Sequence, residues 1–570
     1  MRKFCKSAVL TLSVGALFFA SAETFVRGNL AGYYPNAEKR IVIMSAENIA
    51  GKSWSLKNEA GNAVASGNIG KSIEGDGDNS PFSYNFEVFF NDVKNEGNYN
   101  FAIDGGENFA VKITNNPYNG AIESVLRWLR VQRSGSNETL DRKPAHFGDS
   151  AAFVYYRDGD EKNSDWSEDE DGKTLDLLGG WYVGSDFTKS TGIAAYTTYY
   201  LLKAYNAAPE SFAKKYSKSN LIDILDEAKF GLDYLMKVMP NDKDFIINVG
   251  GYDSDNGIRL PNEDIFDGKR VAYSIYSASD MGLTAAALAM GASTFKSIDA
   301  ALADKFKTQA IKIFDKAASG EFEAEWLEIG WGLYPDETYL DNLLLAAGQL
   351  YQLTNEERFL SKAKEIGNGL EAAYWAGWEI QNMPAQALIA DKNPASKTAL
   401  VADLDGFLSS SRDNLWRLAI EYTSNGLYNN FVVGYSAGIY TKMFNDKEFS
   451  SLVIDMLNYN YGLNNWGVSF TSLPQIKQSV RRYNLAIYKL QTRLFPEGAT
   501  AIGPADRETH DEESKWILDD VRVNYAYPFN TPAVVYLDHE HDYVTMDSRI
   551  DGAASNIYLM TLANIIFGGK

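Results

Sequence analysis

Carboxylates and aromatic rings are the side chains with which this sequence could do chemistry. The densest such segment is Gly179-Gly180-Trp181-Tyr182-Val183-Gly184-Ser185-Asp186. Asp186 follows a Gly-Ser turn and precedes a helical pattern beginning near Ser190. A carboxylate at a helix entrance either deprotonates a bound water or caps the helix. A second acidic stretch, residues 511–520, ends in Asp519-Asp520 and runs into Val521-Arg522-Val523-Asn524. It reads as a solvated loop or as the seat of a second acid. Other chemistries are thinly provided. Cys5 is the only cysteine, and the histidines are His146, His510, His539 and His541. His539 and His541 stand two apart but lack further ligands nearby, so no zinc site is expected. Asp158-Gly159-Asp160 and Glu168-Asp169-Glu170-Asp171 offer the oxygens that a structural calcium takes, without EF-hand spacing. Solvated loop charge is the plainer reading, and no cofactor is expected.

The elements that must position these groups change character along the chain. Residues 23–114 show short alternating runs at 53–57, 63–67, 84–89, 97–103 and 109–113, separated by turn residues such as Glu59-Ala60-Gly61-Asn62. That pattern predicts a β-sandwich. From Asn119 apolar residues recur at helical spacing. Helices are expected over 193–206, 222–239, 280–292, 300–319, 339–353, 356–376, 400–423, 431–444 and 448–460. Long stretches at 134–180, 240–279 and 461–478 interrupt them, and loops of that length are usually functional or disordered. Helices alternating with long loops over residues 115–570 suggest a helical toroid.

The whole chain narrows the function further. It has 570 residues, 45% hydrophobic and 13% aromatic, enough for a large core. Its net charge of -21 disfavours nucleic acid and anionic membranes, while a neutral polysaccharide is indifferent to it. Arg2, Lys3 and Lys6, the apolar run 7–19 and Ala20-Ser21-Ala22 read as a secretory signal over residues 1–22. A secreted or periplasmic location follows, and the mature chain would carry no thiol. No later run of about 18 apolar residues stands out as membrane-spanning.

Taken together, these motifs resemble glycoside hydrolase family 9 cellulases, whose active-site segment reads G-G-W-Y-D-A-G-D. Further matches follow in the family's order. They are Gln132-Arg133-Ser134-Gly135, Leu260-Pro261-Asn262-Glu263-Asp264 with Arg270, Tyr334-Pro335 with Asp341-Asn342-Leu343-Leu344-Leu345-Ala346-Ala347, Asn458 to Asn464, and Gly503-Pro504. The β-rich part resembles the immunoglobulin-like module found before one branch of that family. The resemblance implies an immunoglobulin-like sandwich followed by an (α/α)6 toroid. It also implies inverting hydrolysis of β-1,4-glucan, with Asp186 as the base. Asp520 falls on the family's acid, a glutamate, in the ungapped register; a later register anchored on Asn530 and Pro532 puts Asn524 there. Val183 replaces an aspartate that helps hold the attacking water. Trp181, Tyr182, Arg270, Trp466 and Arg482 are the substrate-binding candidates. One groove is expected to hold Asp186, Trp181 and Trp466, with Asp520 opposite. The expected partner is β-glucan, and the expected state is a monomer. The alternative is a catalytically impaired glycan-binding protein on a cellulase scaffold.

Overall fold

The structure is a computed structural model. It describes residues 24–569 apart from 74–78, 105, 107, 138–141, 158–165, 216–218, 251–262, 264–269, 326–335, 337, 481–495, 514–528, 540 and 541.

The first unit is a sandwich of two antiparallel sheets. β1 (Thr24–Arg27), β2 (Arg40–Ser45) and β5 (Tyr84–Phe89) form one. β4 (Ala63–Asn68), β3 (Ser53–Asn58), β6 (Gly97–Ile103) and β7 (Asn108–Ile113) form the other, in that order. β6 shows why the pattern was readable: Tyr99, Phe101 and Ile103 point into the core while Asn98 and Asn100 face solvent. Strands that bury one face alternate apolar and polar residues, and the expected strands agree with the observed ones to within a residue or so.

The helices that build the rings of the second unit are, in chain order, α1 (Ala121–Val131), α2 (Thr191–Ala207), α3 (Asp223–Leu235), α4 (Ala278–Phe295), α5 (Ala300–Ala318), α6 (Leu340–Thr354), α7 (Glu357–Gly369), α8 (Asn382–Ala387), α9 (Pro394–Arg412), α10 (Gly426–Phe444), α11 (Ser450–Asn460) and α12 (Ile550–Phe567); short helices at Arg507–Glu513 and Tyr543–Met546 lie outside them. The even-numbered helices close a ring in the order α2, α4, α6, α8, α10, α12 and back to α2. Each packs an odd-numbered helix on its outside: α3 on α2, α5 on α4, α7 on α6, α9 on α8, α11 on α10, and α1 on α12. This is the (α/α)6 toroid.

The two rings differ in chemistry. Outer α5 buries Ala303, Phe306, Ala310, Ile313, Phe314 and Ala317, one stripe of an amphipathic helix. Inner α10 and α12 are buried on nearly every side. Gly434 and Gly438 let them meet, since a β-carbon at either would stand about 3.0 Å from Leu559 or Leu562. α12 with the residues before it, 543–567, is the one described helix long and apolar enough to cross a membrane, but 83% of that window is buried in the ring. It therefore reads as a core helix.

Three sequence expectations shift. α7 stops at Gly369 rather than running on to 376. α9 starts at Pro394, whose missing N–H costs nothing in a first turn, and ends at Arg412 rather than 423. The long stretches 134–180 and 240–279 carry strands: Trp166–Glu168, Ala152–Arg157, Val271–Ser274, Ile246–Val249 and Lys189–Ser190 lie side by side in one sheet. That sheet packs beside the entrance of α2.

The sandwich is seated on the toroid by polar anchors. The Arg27 guanidinium donates to the Asn465 carbonyl (2.9 Å), Asn29 to Asn458 (2.9 Å) and Arg40 to the Leu415 carbonyl (2.9 Å). In the connection, the Asn115 backbone and side chain both donate to Glu96, and the Tyr118 ring lies against Tyr34 and Tyr461. Such a joint does not swing as a free linker would.

Candidate active site

The inner helices enter the ring from one face. Gly192 near the start of α2 meets Asp280 and Trp378, Gly282 of α4 meets Asn342 of α6, and Gly552 of α12 meets Tyr428 of α10. Their N-terminal dipole ends therefore converge, and such ends favour negative charge. The sequence supplies it at almost every entrance: Asp186 before α2, Asp280 in α4, Asp336 and Asp341 at α6, Glu379 before α8, and Asp547 and Asp551 at α12.

The Asp186 turn is built from its own backbone. The Thr188 N–H donates to Asp186 Oδ1 (3.0 Å), and the Val183 N–H donates to the Thr188 carbonyl (2.8 Å). Phe187, between them, holds φ at 62°, a left-handed conformation that an aromatic residue rarely adopts. Such strain costs roughly 1–3 kcal/mol and persists only where surrounding contacts hold it. The Phe187 ring is buried against His146 and Tyr182. Asp186 itself is half-buried, open on one side.

The entrance of α12 packs directly on this turn. The Ile550 N–H donates to the Val183 carbonyl (3.1 Å). A β-carbon at Gly184 would stand 3.0 Å from Asp547 Oδ1, a tight contact that glycine avoids. Asp547 is half-buried and accepts from the Ser548 N–H (2.9 Å). Burial pushes its carboxyl up to about 7; Arg549 opposes this, and the charge of Asp186 adds to it. Arg549 is committed elsewhere, forking onto Asp551 at 3.2 and 2.8 Å. Glu379 completes this side. Burial raises its carboxyl although Arg549 opposes the shift, and its Oε2 is buried with no hydrogen-bond partner among the described residues.

The expected site residues divide three ways. Asp186 stands at the open face. Trp181, Tyr182, Arg270 and Trp466 are buried, so none is the exposed substrate contact that residue type suggested. The Trp181 indole donates to Glu227 (3.1 Å), itself paired with Arg130 and Arg133. The ring thus ties the Asp186 segment to α3 and is not a groove wall. The Tyr182 hydroxyl bonds His146 Nδ1 (2.6 Å). Trp466 donates to Asn530 (2.9 Å) and packs on Phe470 and Tyr536. Arg270 is ion-paired to Asp149 and donates to the Phe187 carbonyl. Asp520, Asn524 and Arg482 lie outside the described residues. Asp547 is the residue sequence reasoning missed. Its signal was there: Asp547-Ser548-Arg549-Ile550-Asp551 precedes the last apolar helix much as Asp186 precedes α2.

Comparison with known proteins agrees with this architecture. The model of glycosyl hydrolase family 9 matches residues 118–560, and that of the cellulase N-terminal ig-like domain matches residues 21–108. Endoglucanase 4 of Bacillus sp. (strain KSM-522) is 28% identical over 282 residues, covering 46% of this chain and 40% of its own. A cellodextrinase of Butyrivibrio fibrisolvens is 22% identical over 426 residues, covering 67% of this chain and 74% of its own. Against the endoglucanase, then, the match spans less than half of the relative's length. Among solved structures, AaCel9A in complex with cellobiose-like isofagomine superposes with a TM-score of 0.78 at 18% identity, covering 95% of this chain and 99% of that one. A metagenome-derived glycoside hydrolase family 9 endoglucanase gives 0.76 at 20% identity, covering 94% and 98%. With the family model spanning most of the toroid, the chain belongs to glycosyl hydrolase family 9.

Proposed function

We propose that this protein hydrolyses β-1,4-glucan with inversion at the anomeric carbon, with Asp186 as general base and Asp547 as general acid. The observation that carries the reading is their placement. The two half-buried carboxyls stand at the entrances of neighbouring helices α2 and α12, on the face where the inner helices open. Asp186 takes a proton from water as its oxygen attacks the anomeric carbon. Asp547 gives a proton to the departing glycosidic oxygen on the other side of the sugar. The acid must be protonated near neutral pH, and a carboxyl pushed up to about 7 meets that need. Asp547 fills the acid role in place of Asp520. The β-glucan assignment draws on the endoglucanase and cellodextrinase relatives and on the cellobiose-like ligand of AaCel9A. The segment 1–22 supports export to the periplasm or beyond.

One observation favours the second reading, a glycan-binding protein that has lost catalysis. Val183 is buried and carries no group that could hold water. The test is proton NMR of cello-oligosaccharides freshly mixed with purified protein. The α-anomer should appear first at the new reducing end. Binding without cleavage would establish the second reading, and an initial β-anomer would rule out inversion.

A further inference from the structure

Beneath the Asp186 turn lies a buried ion cluster that the chemistry does not touch. Asp149 Oδ2 pairs with Lys189 Nζ (2.6 Å), and Asp149 Oδ1 pairs with Arg270 Nε (3.1 Å). All three side chains are almost wholly removed from solvent. Burial alone would raise the Asp149 carboxyl, but Lys189 and then Arg270 outweigh it and hold it below the usual carboxylate range. A buried ion triad is seldom kept for stability, because desolvation cancels much of its attraction. Here each cation also donates to the active-site loop. Lys189 donates to the carbonyls of Leu177 (2.7 Å) and Gly179 (3.0 Å), where the loop begins. Arg270 donates through Nη2 to the carbonyl of Phe187 (2.8 Å), where it ends. That carbonyl belongs to the one residue in the loop with side chain and left-handed backbone together. The surrounding chain makes room for the arrangement. Gly250 has φ 74°, and a β-carbon on it would collide with the Arg270 guanidinium.

We propose that Asp149, through Lys189 and Arg270, is a positioning residue that clamps both ends of the 177–189 loop and so fixes the direction of the Asp186 carboxylate. The inference rests on the hydrolase reading above. One carboxylate holds two cations, and the two cations hold the two loop ends. The left-handed turn at Phe187 is stable only while its carbonyl is tied. If it relaxes, Asp186 turns away from the water it must deprotonate. Misplacement of a reacting group by about 1 Å can cost on the order of 10²-fold in rate.

The experiment uses the full chain and four variants: Asp149→Asn, Arg270→Lys, Gly250→Ala and Arg270→Ala. Asn keeps the size of Asp149 and removes the charge that holds both cations. Lys keeps the charge of Arg270 but cannot bridge Asp149 and the Phe187 carbonyl through a planar fork. Ala at 250 leaves all three ionic groups in place and pushes the guanidinium aside. Each variant should lose about 10- to 100-fold in kcat on cello-oligosaccharides, with KM changed less than about threefold. The base-side limb of the pH–kcat/KM profile should shift in the same variants. External guanidinium should restore part of kcat to Arg270→Ala. Circular dichroism and thermal melting monitor folding, and the kcat-to-KM split is read on the folded fraction. Wild-type kcat and pH profile in folded Asp149→Asn or Gly250→Ala would overturn the clamp while leaving the hydrolase reading standing. An inert wild-type protein would instead overturn the hydrolase reading, and the clamp with it.

Discussion

Two groups of carboxylates share the face where the inner helices begin, and they differ in how far each is closed off from solvent. At α6, Asp341 accepts from the Thr338 hydroxyl (2.5 Å), the Asn342 N–H (3.0 Å) and the Gln381 N–H (2.5 Å). Asp336 accepts from the Asn342 amide (2.6 Å) and the Thr338 N–H (3.3 Å). Both are buried, and burial raises both carboxyls. Their acceptor sites are taken up by neighbouring backbone and amides, so they act as helix-entrance fasteners. At α2 and α12, Asp186 and Asp547 keep part of their surface open; Asp186 accepts from the Thr188 N–H and Asp547 from the Ser548 N–H. The strained Phe187 lies beside the first of them. Burial raises Asp547 in the second group as it raises Asp336 and Asp341 in the first, so a raised carboxyl does not tell the groups apart. What separates them is partial exposure, at Asp186 beside a conformation the protein holds under strain.

The largest expected effect falls on the open pair. Asp186→Asn should reduce cello-oligosaccharide hydrolysis by about 10²–10⁴ with little change in melting temperature. Steady-state kinetics together with a thermal melt check it, and a stability loss as large as the activity loss would merge the two groups. Asp341→Ala should do the reverse. It leaves the buried Gln381 and Asn342 N–H groups without their acceptor, at about 1–3 kcal/mol, while kcat per folded molecule stays near wild type. Denaturant melts beside kinetics separate these outcomes.

A pH series sharpens the comparison. Because Asp547 must hold its proton to act as acid, kcat/KM should fall as pH rises through about 7. Asp547→Asn should remove that limb. Stability carries a related signature. The Asp280 carboxyl is raised by burial to about 6, against about 3.9 for a free aspartate. The folded state therefore binds this proton more tightly than the unfolded one. Its contribution is complete below about pH 4 and is lost as pH rises through about 6. Asp280→Asn should flatten the stability curve between those values, which urea melts across pH will show. The smallest effect is expected from Thr338→Val, which removes one hydroxyl from Asp341. A loss of about 1 kcal/mol with unchanged kcat would place it with the fasteners.

The sandwich and the outer helices were legible because each buries one face, and burial on one face leaves a period in the sequence. The inner helices leave a weaker one: the expected helices at 193–206, 280–292, 339–353 and 431–444 fall on α2, α4, α6 and α10, but two others escape. α12 is apolar on all sides and went unrecognised, as did α8, whose six residues include Pro384. That blind spot reached the site. Motif spacing points to Asp520, and without a readable α12 nothing in the sequence draws attention to Asp547 at its entrance. Asp186 was found because glycines and aromatics around it are distinctive as residue types. The same types misled about Trp181 and Trp466. A tryptophan in an active-site segment can face the groove or brace the loop from behind, and composition does not say which. Here Glu227 and Asn530 bind their indole N–H groups from inside the fold.

The assignment of Asp547 is tested most directly by its dependence on the leaving group. The rate of Asp547→Asn should be measured on cellotetraose and on an aryl cellobioside whose phenolate departs without protonation. A working acid matters only for the poor sugar leaving group. The expected loss is about 10²–10⁴ on cellotetraose and less than about tenfold on the aryl substrate. Equal losses on both substrates, or full activity in Asp547→Asn beside collapse in Asp520→Asn, would contradict it.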